Sequence, residues 1–515
     1  MKNSVGIELP AYIEGYGNVV PYSGVFTHLQ PRRNVGRRVR PVVPGVSKVL
    51  PDLDAVIRQS GLKDGMTVSF HHHLRNGDQV VNQVMAAIAA RGIKDICVAA
   101  SGVFAVHEPL VHWMEEGVVT QIVTSTFNAG PVPQAITAGK LQKPCIMMTH
   151  GGRAQAILGG SLHIDVAFIA APTCDEAGNL NGTSGKSACG GLSYIYADAE
   201  CADCVVAVTD NLVPYPARPI EISQDKVDYV VVVDSIGDPG GIASGTTKIT
   251  TDPVRLKVAA DTAELMEQTG MIHEGMSFQT GASSTALAVA AEVRSRMLEG
   301  HITGAFGLGG IHAYMVKMLE EGLFRALMDT QSFDTEAVRS AGENPNHQII
   351  SGSWYANPYT ASPVVNLLDT VILGATEIDL QFNVNVTTGS NGVIMGAAGG
   401  HSDCAAGARL AIVVANLTRK QFCVVRDHVT TVTTPGDTID ALVTDYGIAI
   451  NPRRTDLLEK LKGSDLPIHT IEELKRIGES IVGSQKKPEV TDRIVGVVEY
   501  RDGSVIDLVY QKKQN

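Results

Sequence analysis

The chain has 515 residues, with 42 Lys and Arg against 54 Asp and Glu and a net charge of −12, a balance that argues against general nucleic-acid binding, which needs a basic field. No run reaches the roughly 18 uninterrupted apolar residues of a spanning helix, and Met1 to Pro10 lacks an apolar core with basic flanks, so a cytoplasmic protein is expected. The eight cysteines are scattered, several inside apolar runs such as Ile96-Cys97-Val98, and read as small buried hydrophobes rather than disulfide partners.

In chain order, the first marked feature is Arg32-Arg33-Asn34-Val35-Gly36-Arg37-Arg38-Val39-Arg40, five arginines in an otherwise acidic chain. It reads either as a contact for an acidic partner or as a solvated or intersubunit loop. Apolar strand-like runs then alternate with amphipathic stretches: Thr67 to Phe70, Val80 to Ala90, Ile96 to Ala100, Val111 to Gly117 and Ile122 to Thr124. This alternation marks a mostly parallel, helix-covered sheet. Cys201-Ala202-Asp203-Cys204 has metal-like spacing without a second pair, so it is read as structural and metal-free. Val230 to Val233 and Leu410 to Val414 are continuous apolar runs, as in strands buried on both faces. Asp238-Pro239-Gly240-Gly241 to Gly245 is Gly-rich and helix-poor, and a boundary is placed near residue 250. The alternation then resumes with Ser277 to Thr280, Ala286 to Leu298, Thr303 to Leu308, Ala313 to Gly322 and Asp379 to Val386. From about Leu458 the style changes. A charged helical run, Glu472 to Glu479, is broken by Lys486-Lys487-Pro488, and Ile494 to Tyr500 and Val505 to Tyr510 flank the turn Arg501-Asp502-Gly503, a hairpin expected to close the second domain.

The two halves repeat one another. Asp64 to Val68 recurs as Glu274 to Phe278, Trp113 to Gly117 as Met318 to Gly322, and His163 to Val166 as Glu377 to Leu380, at offsets of 210, 205 and 214 residues. A period that long excludes a solenoid and fits two tandem copies of one globular domain. The expected fold is α/β, with homologous domains over 1–250 and 251–515, each built on a mostly parallel helix-covered sheet, and with a site between them.

Several segments resemble the alpha subunit family of citrate lyase, within the acyl-CoA transferase superfamily: Ser69-Phe70-His71-His72-His73-Leu74-Arg75-Asn76-Gly77-Asp78, Thr149-His150-Gly151-Gly152-Arg153, Asn181 to Ser187, Gly374 to Leu380 and Ile394 to Asp403. The resemblance implies a CoA-transferase-like fold and exchange of acyl groups on a carrier thiol, acetyl-carrier and citrate giving citryl-carrier and acetate. It also implies a lyase beta subunit and a small acyl-carrier gamma subunit as partners in an oligomeric complex. The thioester substrate would be acetyl-CoA or the carrier's phosphoribosyl-dephospho-CoA arm, with no permanently bound cofactor.

Such chemistry needs an oxyanion hole, an anchor for carboxylates and a slot for the carrier arm. Gly281-Ala282-Ser283 follows a strand and opens a helix, so it reads either as an oxyanion hole or as a tight turn with Ser283 or Ser284 as N-cap. Gly399-Gly400-His401-Ser402-Asp403 resembles the Gly-Gly-x-x-Asp element of CoA transferases, with His401 and Asp403 as orienting groups or Asp403 as a helix cap. His71 and His73 share one side of an extended segment, where a metal pair lacks an identifiable further ligand. Hydrogen-bonding roles are preferred, with Arg75, Asn76 or Arg153 holding citrate carboxylates or a carrier phosphate, and a solvated loop as the alternative for Arg75. Arg37, Arg38 and Arg40 are assigned to the carrier through the resemblance.

Family I CoA transferases carry a glutamate nucleophile in a Ser-Glu-Asn-Gly motif. Here the corresponding strand reads Thr303-Gly304-Ala305-Phe306-Gly307-Leu308-Gly309-Gly310, with Gly307 at the glutamate's register. Direct attack by a citrate carboxylate through a transient mixed anhydride is therefore expected. A shifted Glu336 or Glu343 would restore a covalent glutamyl route, and a non-catalytic carrier-binding scaffold is the third reading.

Overall fold

The computed structural model describes residues 1–25, 44–243, 249–281 and 283–513. The runs Val166–Ala171, Cys204–Thr209 and Leu410–Val414 are strands in which every residue is buried. Only sheets covered by helices on both faces bury strands so completely. In Tyr229–Val232, nearer a sheet edge, Val230 and Val231 are buried while Val232 is exposed.

Seven strands of each half repeat the same topology. In the first half the strands lie in the order Cys145–Met147, Val119–Thr124, Ile96–Ala100, Thr67–Phe70, Val166–Ala171, Cys204–Thr209, Tyr229–Val232, all parallel. In the second half the order is His347–Ile349, Phe324–Ser332, Gly304–Ile311, Ser277–Thr280, Thr370–Gly374, Leu410–Val414, Ala441–Thr444, again parallel. Each half adds a small three-stranded sheet, around Thr173–Asp175 and Glu377–Asp379 respectively.

One repeat anchor needs correction. Asp165 accepts the Thr67 backbone N–H through Oδ2 at 2.7 Å, and its spatial counterpart is Asp369, which accepts the Ser277 N–H at 2.9 Å. Asp379 corresponds instead to Asp175, and each carboxylate collects backbone N–H groups of the turn that follows it. Both true pairs are separated by 204 residues. The short Ile-Asp pattern occurs before one strand and inside the next, and the sequence comparison had matched across them.

The terminal hairpin also departs from expectation. Val490–Glu499 pairs in parallel with Cys145–Met147, matching Val497 to Ile146, and Val505–Lys512 forms the outer antiparallel strand. The chain end therefore extends the first sheet rather than closing the second domain. Val495, Val498, Ile506 and Val509 join the first half's apolar core, with Val68 and Ile122. The charged helix before it, Ile471–Val482, stays with the second half, where Ile471 and Leu474 are buried against that half's core.

The halves meet at the C-terminal ends of their strands. Helix His150–Leu158 packs on helix Gly352–Ala356, each following the corresponding strand of its sheet. Gly151 permits this approach, since a Cβ there would lie 2.2 Å from the Ala356 carbonyl oxygen.

Candidate functional site

The strand Thr67–Phe70 delivers His71, His72 and His73 to this junction, and all three rings are buried. His71 Nε2 lies 3.0 Å from the Ala170 carbonyl, which only accepts, so that nitrogen carries the hydrogen. His71 Nδ1 and His73 Nδ1 are 2.9 Å apart, and with neutral rings His73 is the donor. His72 turns the other way. Its Nδ1 meets the Ser101 hydroxyl at 2.6 Å and its Nε2 meets Gln331 Oε1 at 3.2 Å, while Gln331 Nε2 donates to the His72 carbonyl at 3.3 Å. Gln331, at the end of strand Phe324–Ser332, thus ties the second half to the histidine segment by two bonds.

His150 completes the group. The Ser125 hydroxyl donates to the Ser101 carbonyl at 2.6 Å, so His150 Nδ1 donates to Ser125 Oγ at 2.8 Å. Its other nitrogen, Nε2, is left as a lone pair. Tyr194 stacks on the His150, His72 and His73 rings at centroid distances of 4.4, 5.0 and 5.3 Å, and its hydroxyl donates to Thr330 Oγ1 at 3.3 Å.

Arg75 follows in a left-handed conformation with φ of 52°. Its guanidinium lies 4.7 Å from the Phe333 ring centroid and 5.6 Å from that of Phe104, and it has no carboxylate partner among the described residues. Burial lowers its pKa. Burial likewise holds the imidazoles neutral: His71 falls to about 4 and His150 to about 3, and His72 and His73 lie well below the usual range, with neighbouring rings adding to the effect. The result is a largely buried junction with one cation unpaired among the described residues, four neutral rings and aromatic side chains from both halves. Such a surface suits an anionic ligand with several oxygen acceptors.

Other residues singled out in the sequence have different places. Arg153 is spent inside the protein: it forms a two-point ion pair with Asp198, at 2.9 and 2.7 Å, and donates to the Ala99 and Tyr194 carbonyls. The second half has Tyr355 and Cys404 at the equivalent positions, with Oη and Sγ 2.8 Å apart. Asn76 is exposed and uses Oδ1 to accept the Val106 N–H. His401 has both nitrogens engaged, with the Gly374 carbonyl and the Thr434 hydroxyl. Asp403 accepts from the Thr149 hydroxyl and the Gly151 N–H, both at 2.9 Å, so it caps the first half's helix rather than its own. The Gly399 N–H donates to the Ser125 carbonyl, which removes it as an oxyanion donor, and a Cβ on Gly400 would strike Tyr355 Oη at 2.4 Å. Gly281 and Ser283 are exposed, and Ser283 caps its helix by accepting the Ala286 N–H. Ala282 and the arginine segment with Arg37, Arg38 and Arg40 lie outside the described residues. None of the eight cysteines forms a disulfide, Cys201 and Cys204 included.

The family model for citrate lyase, alpha subunit (CitF), matches residues 46–512. The chain belongs to the citrate lyase alpha subunit family. A citrate lyase alpha chain from Klebsiella pneumoniae is 46% identical across 100% of both chains, and one from Haemophilus influenzae is 48% identical over 90% of this chain and 93% of its own. A crystal structure from Streptococcus mutans, described as the alpha subunit of citrate lyase in complex with citrate, superposes with a TM-score of 0.96 at 45% identity over the full length of both chains. A 4-hydroxybutyrate CoA-transferase from Porphyromonas gingivalis, at 18% identity and a TM-score of 0.55 over 84% of this chain and 97% of its own, shares the fold.

Gly307, the position that the sequence reading sets at the register of a family I glutamate, is closely packed. A Cβ on Gly307 would lie 2.5 Å from Met315 Cε and 2.9 Å from Leu327 Cδ2, so a side chain there would enter the apolar core. Glu336 and Glu343 are surface partners of Arg339 and do not reach the cleft. The sequence reading passed over His72, His150, Tyr194 and Gln331. His150 stood inside a recognised motif, while Tyr194 and Gln331 reach the site only through the fold and have no local signal.

Proposed function

We propose that the cleft between the halves exchanges acetate for citrate on a carrier thioester. The observation that carries this reading is the unpaired Arg75 guanidinium, held between two aromatic rings beside the buried imidazoles. A carboxylate of citrate would take the place of its missing partner. A second citrate carboxylate oxygen attacks the acetyl carbonyl, the C–S bond breaks, and the carrier leaves as a thiolate from a citric-acetic anhydride. The thiolate then attacks the citryl carbonyl, the anhydride C–O bond breaks, and acetate departs with an oxygen that came from citrate. Positioning and charge stabilisation supply the catalysis. Membership of the family supports a lyase subunit and an acyl-carrier subunit as partners, a phosphoribosyl-dephospho-CoA arm as the thioester substrate, and a cytoplasmic complex.

A single turnover with acetyl-CoA and citrate labelled with oxygen-18 in its carboxylates tests the route. Labelled acetate in the first turnover is expected. Unlabelled acetate followed by label in later turnovers would mean that an enzyme carboxylate intervenes, and absence of exchange with both CoA and holo-carrier would leave only a scaffold.

A further inference from the structure

The pair His71 and His73 is short of one hydrogen. Its outer ends face carbonyl groups, Ala170 at 3.0 Å from His71 Nε2 and Thr330, from the other half, near His73. Between the rings the 2.9 Å Nδ1 to Nδ1 bond needs one hydrogen. Two neutral imidazoles bring two hydrogens in total, and both are already placed. His73 Nε2 is therefore a bare lone pair, buried and without a hydrogen bond. An orphaned buried polar atom of this kind calls for a missing partner. A third hydrogen at His73 Nε2 would satisfy it without disturbing either existing bond.

What opposes that hydrogen is charge and burial. Burial is the main force against protonation of both rings; Arg153 adds a positive charge at His71, His72 and His150 are potentially positive neighbours of His73, and Asp78 and Asp198 favour the proton at His71. Arg75 acts on His72, whose ring stacks on His73 at a centroid distance of 5.9 Å, so an anion placed against Arg75 brings negative charge toward the pair, and a nearby opposite charge favours the charged imidazolium.

We propose that entry of a di- or tricarboxylate loads one proton from solvent onto the His71 and His73 pair, at Nε2 of His73, so that the cleft binds the anion and the proton together. This rests on the reading of the cleft as the citrate site. Proton-coupled binding makes affinity fall as pH rises, by up to about tenfold per pH unit where uptake is complete. It also leaves a cation beside the reacting carboxylates only while substrate is present.

Calorimetric titration of the full chain with citrate at pH 6, 7 and 8, corrected for the ionisation of free citrate, in two buffers of different ionisation enthalpy measures the uptake. Net uptake that grows as pH falls is expected for the native chain and close to none for His73→Gln. Nitrogen-15 imidazole NMR of the native chain gives a second readout that needs no variant: Nε2 of His73 should move from a lone-pair to a protonated shift on citrate addition. Binding with heat independent of buffer, or uptake unchanged in His73→Gln, overturns the proposal and leaves the citrate reading standing. Failure of the native chain to bind citrate overturns both.

Discussion

Arg75 keeps its guanidinium between Phe104 and Phe333 without a carboxylate among the described residues, whereas Arg153 is closed into a bidentate pair with the buried Asp198. The two arginines should therefore fail differently when changed. Arg75→Gln is expected to weaken citrate binding by about 10- to 100-fold, as for loss of a charge-assisted bond of roughly 1.5–3 kcal/mol, with little change in melting temperature. Arg153→Gln strands a buried carboxylate and is expected to cost about 3–5 kcal/mol of stability. Citrate titration and thermal unfolding of both variants separate the roles, and a citrate-binding loss confined to Arg153→Gln would refute the assignment. Arg153, three residues after His150, and Arg75, two residues after His73, look equally available in sequence. Only the position of Asp198, 45 residues further on, decides that Arg153 is consumed. Residues such as Tyr194 were illegible for the same reason, since nothing near them in the chain records that three imidazoles will stack on one ring.

Helix His150–Leu158 carries both His150, stacked on Tyr194, and the clamp between halves, where Asp403 accepts the Gly151 N–H. Burial raises the Asp403 carboxyl to about 6, above its unfolded value near 3.8, with Arg501 opposing the shift. A raised folded pKa means that the folded state holds the proton more tightly, so this contribution is complete below pH 3.8 and is lost as pH rises through 6. The melting temperature of the native chain minus that of Asp403→Asn should therefore shrink between pH 4 and 7, and a flat difference would show that the carboxylate is ionised throughout. The histidines carry the opposite sign. His71, depressed to about 4 from 6.5, contributes stability that is full above 6.5 and lost as pH falls toward 4. Gly151→Ala tests the packing itself, because its Cβ would collide with the Ala356 carbonyl, and overpacking there should destabilise the chain by about 1–3 kcal/mol. The alternation of strands and helices was readable because both periods are strong and the sheets are covered on both faces. Gly400 makes room for Tyr355 and Gly151 for a helix of the other half, and the residues flanking each glycine carry no sign of what approaches it.

At the scale of the whole molecule the duplicated halves are locked by the chain end. Val490–Glu499 adds to the first sheet beside Cys145–Met147 after the chain has completed the second half, and Arg501 at the hairpin turn donates to the Ala356 carbonyl at 3.2 Å. Asp507 on the outer strand accepts the Val432 N–H at 2.6 Å, a further tie to the second half. The sequence showed a hairpin but not its partner, because strand pairing at this range is chosen by which sheet edge is open rather than by local pattern. Residues 483–489, between the last helix and the hairpin, form no regular structure, and Lys486 and Lys487 are exposed. Exposed irregular backbone with small and basic residues is where limited proteolysis begins. Brief trypsin treatment is therefore expected to cut after Lys486, while the hairpin fragment stays bound through the sheet bonds and the burial of Val497, Val498 and Ile506. Fragment and remainder should co-elute in native gel filtration and keep citrate binding, and should separate only in denaturant. Release of the fragment from the folded nicked chain would mean that the hairpin is an accessory strand, and that the Asp403 clamp, the Gln331, Tyr194 and Gly399 bonds and the helix packing at Gly151 suffice to hold the halves.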